Sequence, residues 1–140
     1  MVFGFEMKEK ETSPVPAIRV LICDDDPRIR KALKDLLLTR QITQENDLSP
    51  VVQVIGEACH GSQVIQMVEH LQPEVILMDV RMPGMDGVEA TRFIKQKWPS
   101  VRIVMLTMDP EARSVALDAG VDTFLLKGCP LDALFDAILD

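Results

Sequence analysis

Short apolar runs alternate with amphipathic stretches along the chain. The runs "VLIC", "VILM" and "IVML" are almost continuously apolar, which is typical of parallel strands that are covered on both faces. They lie within five predicted strands, which span residues 18–23, 51–57, 74–79, 101–106 and 122–127. The stretches between them repeat apolar side chains three and four residues apart, as amphipathic helices do. These predicted helices span residues 27–39, 61–71, 87–97, 110–119 and 130–139.

Proline and glycine positions agree with these helix bounds. Pro27, Pro110 and Pro130 stand where the first turn of a helix tolerates proline, and Gly120 stands where a helix ends. The fivefold strand–helix alternation predicts an α/β fold with a doubly wound parallel sheet and right-handed crossovers. The connection over residues 39–50 is long for such a fold. We expect a modest extension of the first helix followed by a loop, with a mobile surface insertion as the alternative.

Composition narrows the class of protein. The chain has 140 residues, 47% of them hydrophobic, which suits one domain over residues 18–140 after a mobile extension over residues 1–17. A net charge of −7 without a Lys/Arg cluster argues against direct nucleic-acid binding. Three separated cysteines predict neither disulfides nor a zinc site. No apolar stretch approaches the roughly 20 residues of a membrane span, and we expect a cytoplasmic protein.

Acidic residues follow two of the predicted strands. Asp24, Asp25 and Asp26 come directly after the first strand, and Asp79 ends the third. In such sheets the site lies beyond the carboxyl ends of the strands, where the strand order reverses. Two carboxylates about 4 Å apart repel by about 4 kcal/mol at an effective dielectric constant of about 20. A raised pKa or a bound cation would offset this repulsion, and oxygen ligands suit Mg²⁺, with Mn²⁺ as a substitute.

Two further strand ends carry chemistry. The fourth strand ends at "MLTMD", which places the Thr107 hydroxyl at the same edge, and the fifth ends at "FLLKG", which adds the Lys127 ammonium. A cation, a hydroxyl and a lysine together can stabilise a phosphoryl group, and an aspartate can accept one.

The four motifs "CDDDP", "LMDVRMPGMDG", "LTMD" and "FLLKG" stand in order at successive strand ends. With them the chain resembles a response-regulator receiver domain of two-component signalling, of the NarL/LuxR-type branch, over roughly residues 18–140. The resemblance implies a flavodoxin-like three-layer sandwich with a five-stranded parallel sheet in the order 2-1-3-4-5.

The resemblance also implies a role for each site residue. Asp79 would be the phosphoacceptor. Thr107 and Lys127 would contact the phosphoryl group, and Thr107 and Phe124 would form the switch pair. The Mg²⁺ ligands would be Asp24, Asp25, Asp79 and the backbone carbonyl of Arg81. Asp26 is left for the start of the first helix, as a cap.

Partners follow from the same resemblance. A sensor histidine kinase would donate the phosphoryl group. The face formed by the fourth helix, fifth strand and fifth helix, or another face, would then contact a partner or a second copy. The chain would be a self-catalysing phosphoacceptor rather than an enzyme, and DNA would be reached through an output domain outside this chain. The alternatives are a stand-alone phosphorelay receiver, a non-phosphorylated pseudo-receiver and, less favoured, a haloacid-dehalogenase-like phosphatase.

The chain departs from the family pattern near the site. Gly128 follows Lys127, where many receivers have proline, and Met108 follows Thr107, where many have alanine. We expect Met108 to narrow access to the phosphoryl site, and Arg81 and Asp109 to pair across the same opening.

Overall fold

The computed structural model describes residues 17–43 and 50–140, without the side chains of residues 40–43. Within these residues, five strands and five α-helices alternate. They are β1 (Ala17–Cys23), α1 (Pro27–Thr43), β2 (Val51–Ala58), α2 (Gly61–Leu71), β3 (Val75–Met78), α3 (Gly87–Lys97), β4 (Arg102–Thr107), α4 (Arg113–Ala119), β5 (Thr123–Leu126) and α5 (Leu131–Leu139). The strands are parallel in the order β2-β1-β3-β4-β5, which confirms the predicted sheet.

Helices cover both faces of the sheet and give two hydrophobic cores. Because successive side chains of a strand point to opposite faces, Val20 and Ile22 of β1 enter one core, while Leu21 and Cys23 enter the other. The first core is covered by α1 and α5, and the second by α2, α3 and α4. Burial raises the pKa of the Cys23 thiol, with a smaller contribution from the charge of Asp24, so this cysteine is an uncharged core residue.

The helix bounds agree with the prediction except at a few ends. α1 continues to Thr43, which confirms the expected extension, and residues 44–49 lie outside the described residues. The segment predicted as one helix over residues 110–119 is a 3₁₀ turn, Pro110–Ala112, followed by α4. Pro130 is the cap that precedes α5 rather than a residue of its first turn, because its ψ of 143° is extended.

The first strand begins one residue earlier than predicted. β1 begins at Ala17, because this residue pairs with Val51 at the first position of the β1–β2 ladder. The rest of the predicted extension, residues 1–16, lies outside the described residues.

Two arginines near the beginnings of strands fix the ends of helices. Arg19 of β1 donates hydrogen bonds to the last carbonyl groups of α2, and Arg102 of β4 does the same for α5. Helix C-termini leave carbonyl groups unpaired and carry a partial negative charge, which a guanidinium neutralises. Both helices are thereby attached to the amino-terminal edge of the sheet, opposite the edge that carries the predicted site.

The start of α3 lies against the end of β3. The Gly87 N–H donates to the Val80 carbonyl at 2.8 Å. A Cβ atom on Gly87 would lie 2.0 Å from the backbone oxygen of Asp79, so any side chain would force the backbone to move. Asp86 fixes the helix start through a reciprocal capping box with Glu89.

We expect Gly87→Ala to lower the free energy of unfolding by about 2 kcal/mol, because the added methyl group overlaps the Asp79 carbonyl. Gly84→Asn is the matched control. Gly84 has a φ of 72°, which asparagine tolerates, and no atom lies within 4 Å of an added Cβ. Urea unfolding of both variants measures the difference, and equal losses would contradict the close-contact explanation.

Candidate functional site

The loops after β1 and β3 bring three carboxylates together. One oxygen from each of Asp24, Asp25 and Asp79 lies within 4.8 Å of the others. The backbone holds two of them, because the Asp24 N–H donates to the Ala58 carbonyl at 3.0 Å and the Asp79 N–H donates to the Cys23 carbonyl at 2.9 Å. Asp24 and Asp79 are only 3% and 7% exposed, whereas Asp25 is exposed. The predicted acidic cluster therefore forms at the carboxyl edge of the sheet.

Lys127, at the end of β5, binds the two buried carboxylates. Its Nζ lies 2.8 Å from Asp24 Oδ2 and 3.0 Å from Asp79 Oδ2. The other oxygens accept backbone hydrogen bonds. Asp24 Oδ1 accepts from the Asp26 N–H at 2.9 Å, and Asp79 Oδ1 accepts from the Val80 N–H at 2.7 Å. Both carboxylates are thus held at each oxygen.

The pKa shifts follow from burial and from this shared ammonium. Burial raises the pKa of Asp24 above 3.8, and repulsion from Asp79 adds to the increase, while hydrogen bonds from Lys127 and Asp26 oppose it. Burial alone would lower the pKa of Lys127. Its hydrogen bonds and its attraction to Asp24 and Asp79 outweigh burial and raise the pKa above 10.5. Lys127 therefore stays charged, and burial makes the ionised form of Asp24 unfavourable in the folded protein.

Thr107 and Phe124 lie on the neighbouring strands β4 and β5. Thr107 is 1% exposed at the end of β4, and its Oγ1 accepts from the Asp109 N–H at 3.3 Å. Its carbonyl accepts from the Lys127 N–H at 2.8 Å, which fixes β5 beside it. Phe124 of β5 is buried in the core, with the Arg113 guanidinium carbon 5.8 Å from its ring centre.

An ion pair spans the opening beside the cluster, as predicted. Arg81 Nη2 lies 3.1 Å from Asp109 Oδ2. The opening is lined by these two residues and by Asp25, Val80, Met82 and Asp86. Met108 is 73% exposed, so its side chain extends into solvent, and its predicted effect on access to the site stays a prediction.

The donor set fits a hard divalent cation. Three carboxylates face one ammonium, so the charge of Lys127 neutralises only part of the cluster. Asp25 is exposed and leaves one side open to water, and Mg²⁺ usually keeps several water ligands. The Arg81 residue lines the same opening, and the role of its carbonyl as a ligand stays a prediction.

Asp26 has the helix-capping position predicted for it. Its Oδ1 accepts from the Arg28 N–H at 2.9 Å in the first turn of α1, and its Oδ2 pairs with the Arg28 guanidinium at 3.0 Å. Hydrogen bonds from Arg28 lower the pKa of this carboxyl. Three residues around the site were not predicted from the sequence. Asp86 and Glu89 stand at the spacing of a capping box, which was a readable signal, whereas the contact between Arg30 and the Asp24 carbonyl had none.

The chain matches the response regulator receiver domain over residues 20–139. It is 40% identical over 124 residues to the response regulator protein VraR of Staphylococcus epidermidis. The matched region is 87% of this chain and 55% of that protein. VraR of Staphylococcus aureus is 38% identical over 123 residues, and the matched region is 86% of this chain and 54% of that protein. The chain thus spans about half the length of the curated relatives it matches.

Solved structures agree with the sequence matches. The signal receiver domain of the putative response regulator NarL from Mycobacterium tuberculosis superposes with a TM-score of 0.74 at 27% identity, covering 88% of this chain and 97% of that one. RcsB of Salmonella enterica serovar Typhimurium, bound to promoter DNA in the presence of the phosphomimetic BeF₃⁻, superposes with a TM-score of 0.72 at 28% identity, covering 86% and 94%.

We expect Asp24→Asn to raise the free energy of unfolding by about 1 kcal/mol at neutral pH. Folding raises the pKa of Asp24 from 3.8, so its ionised form opposes folding at neutral pH. That cost disappears as the pH falls through the raised pKa toward 3.8, and the two stability curves should converge there. Asp35→Asn is the control, because Asp35 forms an exposed ion pair with Lys31 and its replacement should not raise the free energy of unfolding. Urea unfolding across this pH range measures both, and a destabilised Asp24→Asn at neutral pH would contradict the assignment.

Proposed function

The chain belongs to the response regulator receiver domain family, and on that basis we propose that it is a phosphorylation-controlled switch with Asp79 as phosphoacceptor. The observation that carries this proposal is the position of the Asp79 carboxylate. It lies at the end of the central strand β3, beside Asp24 and Asp25, with Oδ2 on the Lys127 ammonium. A carboxylate in this setting is close both to a cation site and to a fixed positive charge.

Asp24, Asp25, Asp79 and the Arg81 carbonyl would hold Mg²⁺, for which Mn²⁺ would substitute. The support is the oxygen-only donor set and the charge that Lys127 leaves unneutralised. The bound ion would supply neutralisation of charge on the phosphoryl oxygens.

The phosphoryl donor we propose is a phosphohistidine of a sensor histidine kinase. An Asp79 oxygen attacks the phosphorus atom, the new O–P bond forms, and the N–P bond breaks with its electron pair left on the imidazole nitrogen. Lys127 and the Thr107 hydroxyl pair with the phosphoryl oxygens. Attack by water on phosphorus later breaks the O–P bond and releases inorganic phosphate. The chain turns over no separate substrate, so it acts as a self-catalysing phosphoacceptor rather than an enzyme.

Phosphorylation would act through Thr107 and Phe124. Movement of the Thr107 hydroxyl toward the phosphoryl group changes the packing beside Phe124, and with it the face formed by α4, β5 and α5. Each of these three elements exposes an apolar side chain: Val115 (43%), Leu126 (40%) and Leu131 (47%). We propose this face, or another face that moves with it, as the surface that contacts a partner or a second copy.

The output of the switch would lie outside this chain. RcsB, a relative in the same family, was solved with promoter DNA, and we propose a DNA-binding output domain here too. Direct DNA binding by this acidic chain is not part of the proposal. None of the helices in the described part of the chain has the length and apolar content needed to cross a bilayer. We place the protein in the cytoplasm, where its kinase would act. A stand-alone phosphorelay receiver is the alternative without an output domain.

Incubation with acetyl phosphate and Mg²⁺ should add one phosphoryl group to the chain, measured as intact mass. Asp79→Asn should give no adduct, because the nucleophilic oxygen is replaced by an amide nitrogen. Asp109→Asn, at the same opening, should retain it. Absence of an adduct in the parent would contradict Asp79 as phosphoacceptor and favour the pseudo-receiver alternative. An adduct in Asp79→Asn would place the phosphoryl group on another residue and also contradict Asp79.

Arg81→Ala should shorten the lifetime of the phosphorylated form about threefold, which corresponds to about 0.7 kcal/mol in the barrier. Its ion pair with Asp109 spans the opening, and removing it lets water approach the phosphoryl group more freely. Met108→Ala should act in the same direction. Decay of the adduct mass after removal of the donor measures this. Arg92→Ala, an exposed arginine of α3, is the control, and lifetimes equal to the control would remove the role of this pair.

A further inference from the structure

The position of Asp25 depends on the backbone of its loop. Asp24 and Asp79 are fixed by hydrogen bonds at both carboxylate oxygens. For Asp25, no hydrogen bond or ion pair to its carboxylate is found among the residues that the structure describes, and the side chain is exposed. Whatever directs Asp25 toward the other two carboxylates must therefore act through the two peptides that flank it. The peptide that joins it to Asp26 is held by the Asp26 N–H on Asp24 Oδ1, which leaves the peptide that joins it to Asp24.

Arg30 holds that peptide. From the second turn of α1, its Nη1 donates to the Asp24 carbonyl oxygen at 2.8 Å. The N–H at the other side of Asp24 donates to the Ala58 carbonyl at 3.0 Å. With both backbone groups of Asp24 fixed, the plane of the peptide between Asp24 and Asp25 is fixed as well, and with it the direction in which Asp25 leaves the loop.

Arg30 is itself anchored to β2. Its Nε donates to Glu57 Oε1 at 3.0 Å, and the second oxygen of Glu57 binds Lys34 Nζ at 2.6 Å. The Arg30 side chain is only 19% exposed. A guanidinium can direct two N–H groups at two fixed acceptors at once, because it is planar and rigid. The hydrogen bond from Lys34, and to a smaller extent that from Arg30, lowers the pKa of Glu57, so this anchor is charged at neutral pH.

We propose that Arg30 is a positioning residue for the cation site, which acts by orienting the Asp24–Asp25 peptide so that the Asp25 carboxylate faces the cation. The inference rests on the proposed function, since it assumes the Mg²⁺ site. It goes beyond that function by assigning the geometry of the site to a side chain that contacts neither the cation nor the phosphoryl group.

The sign of the effect separates positioning from charge. Arg30 is positively charged and repels a cation in the nearby cluster, so removing the charge alone would tighten Mg²⁺ binding. Loss of positioning would weaken it. Residues that orient metal ligands typically contribute a factor of about ten to a hundred to affinity.

The test is calorimetric titration with Mg²⁺ alone of the parent, Arg30→Gln, Arg28→Gln and Asp25→Asn. We expect Arg30→Gln to weaken Mg²⁺ binding about tenfold. Arg28→Gln is matched in residue type, charge change and position near the start of α1. Arg28 is 90% exposed and, among the residues that the structure describes, pairs with Asp26 alone, so we expect unchanged or slightly tighter binding. Circular dichroism and urea unfolding check that each variant is folded during the titration.

The outcomes are distinct. Arg30→Gln that binds Mg²⁺ as tightly as Arg28→Gln overturns the positioning role, while the proposed function stands if Asp25→Asn loses affinity. A parent that does not bind Mg²⁺, or an Asp25→Asn that binds it normally, overturns the cation site and the inference with it. If Arg30→Gln does not fold, Arg30→Lys takes its place. It keeps the charge but loses the planar pair of donors, and parental affinity in this variant overturns the proposal.

Discussion

The ammonium of Lys127 is shared by two buried carboxylates, Asp24 and Asp79, which come from strands far apart in the chain. Without it, two negative charges would lie side by side in a part of the molecule that water barely reaches, where their repulsion is strong. The lysine can lie there only because β5 follows β4 at the edge of the sheet and ends level with it. The arrangement of charge thus depends on the register of the strands, and the register depends on the two cores beneath.

The rest of the site is held by backbone contacts at the same edge. Gly87 allows α3 to approach the Asp79 carbonyl, and the amide groups of Asp24 and Asp79 extend the hydrogen bonding of the sheet beyond the last residues of the strands. Arg30 adds a link from α1 to the Asp24 carbonyl. Each of these contacts limits the motion of a carboxylate, which allows a cation and a phosphoryl group to meet groups that are already oriented.

This orientation costs stability. Burial raises the pKa of Asp24, and the single ammonium neutralises only part of the cluster, so the ionised Asp24 carboxylate opposes folding at neutral pH. A cation or a phosphoryl group that enters the cluster changes this balance of charge. Its effect reaches β4 and β5, because Thr107 ends β4 and Lys127 directly follows β5. A site under electrostatic strain is therefore also a site whose occupancy can change the edge of the sheet that carries Phe124.

Hydrophobic spacing along the chain determined most of the elements, since a buried strand and an amphipathic helix each require their own period of apolar residues. The same sequence placed Asp24, Asp25, Asp79, Thr107 and Lys127 at strand ends, and parallel strands bring their carboxyl ends to one edge. The order of the strands came from family resemblance, because spacing along the chain does not say which strands are neighbours. Only the tertiary structure decided that Lys127 contacts two carboxylates. It also decided that Arg30 donates hydrogen bonds both to the Asp24 carbonyl and to Glu57, which lies 27 residues after Arg30 in the chain. Such contacts depend on distances across the fold and on the reach of single side chains, and no local periodicity records either.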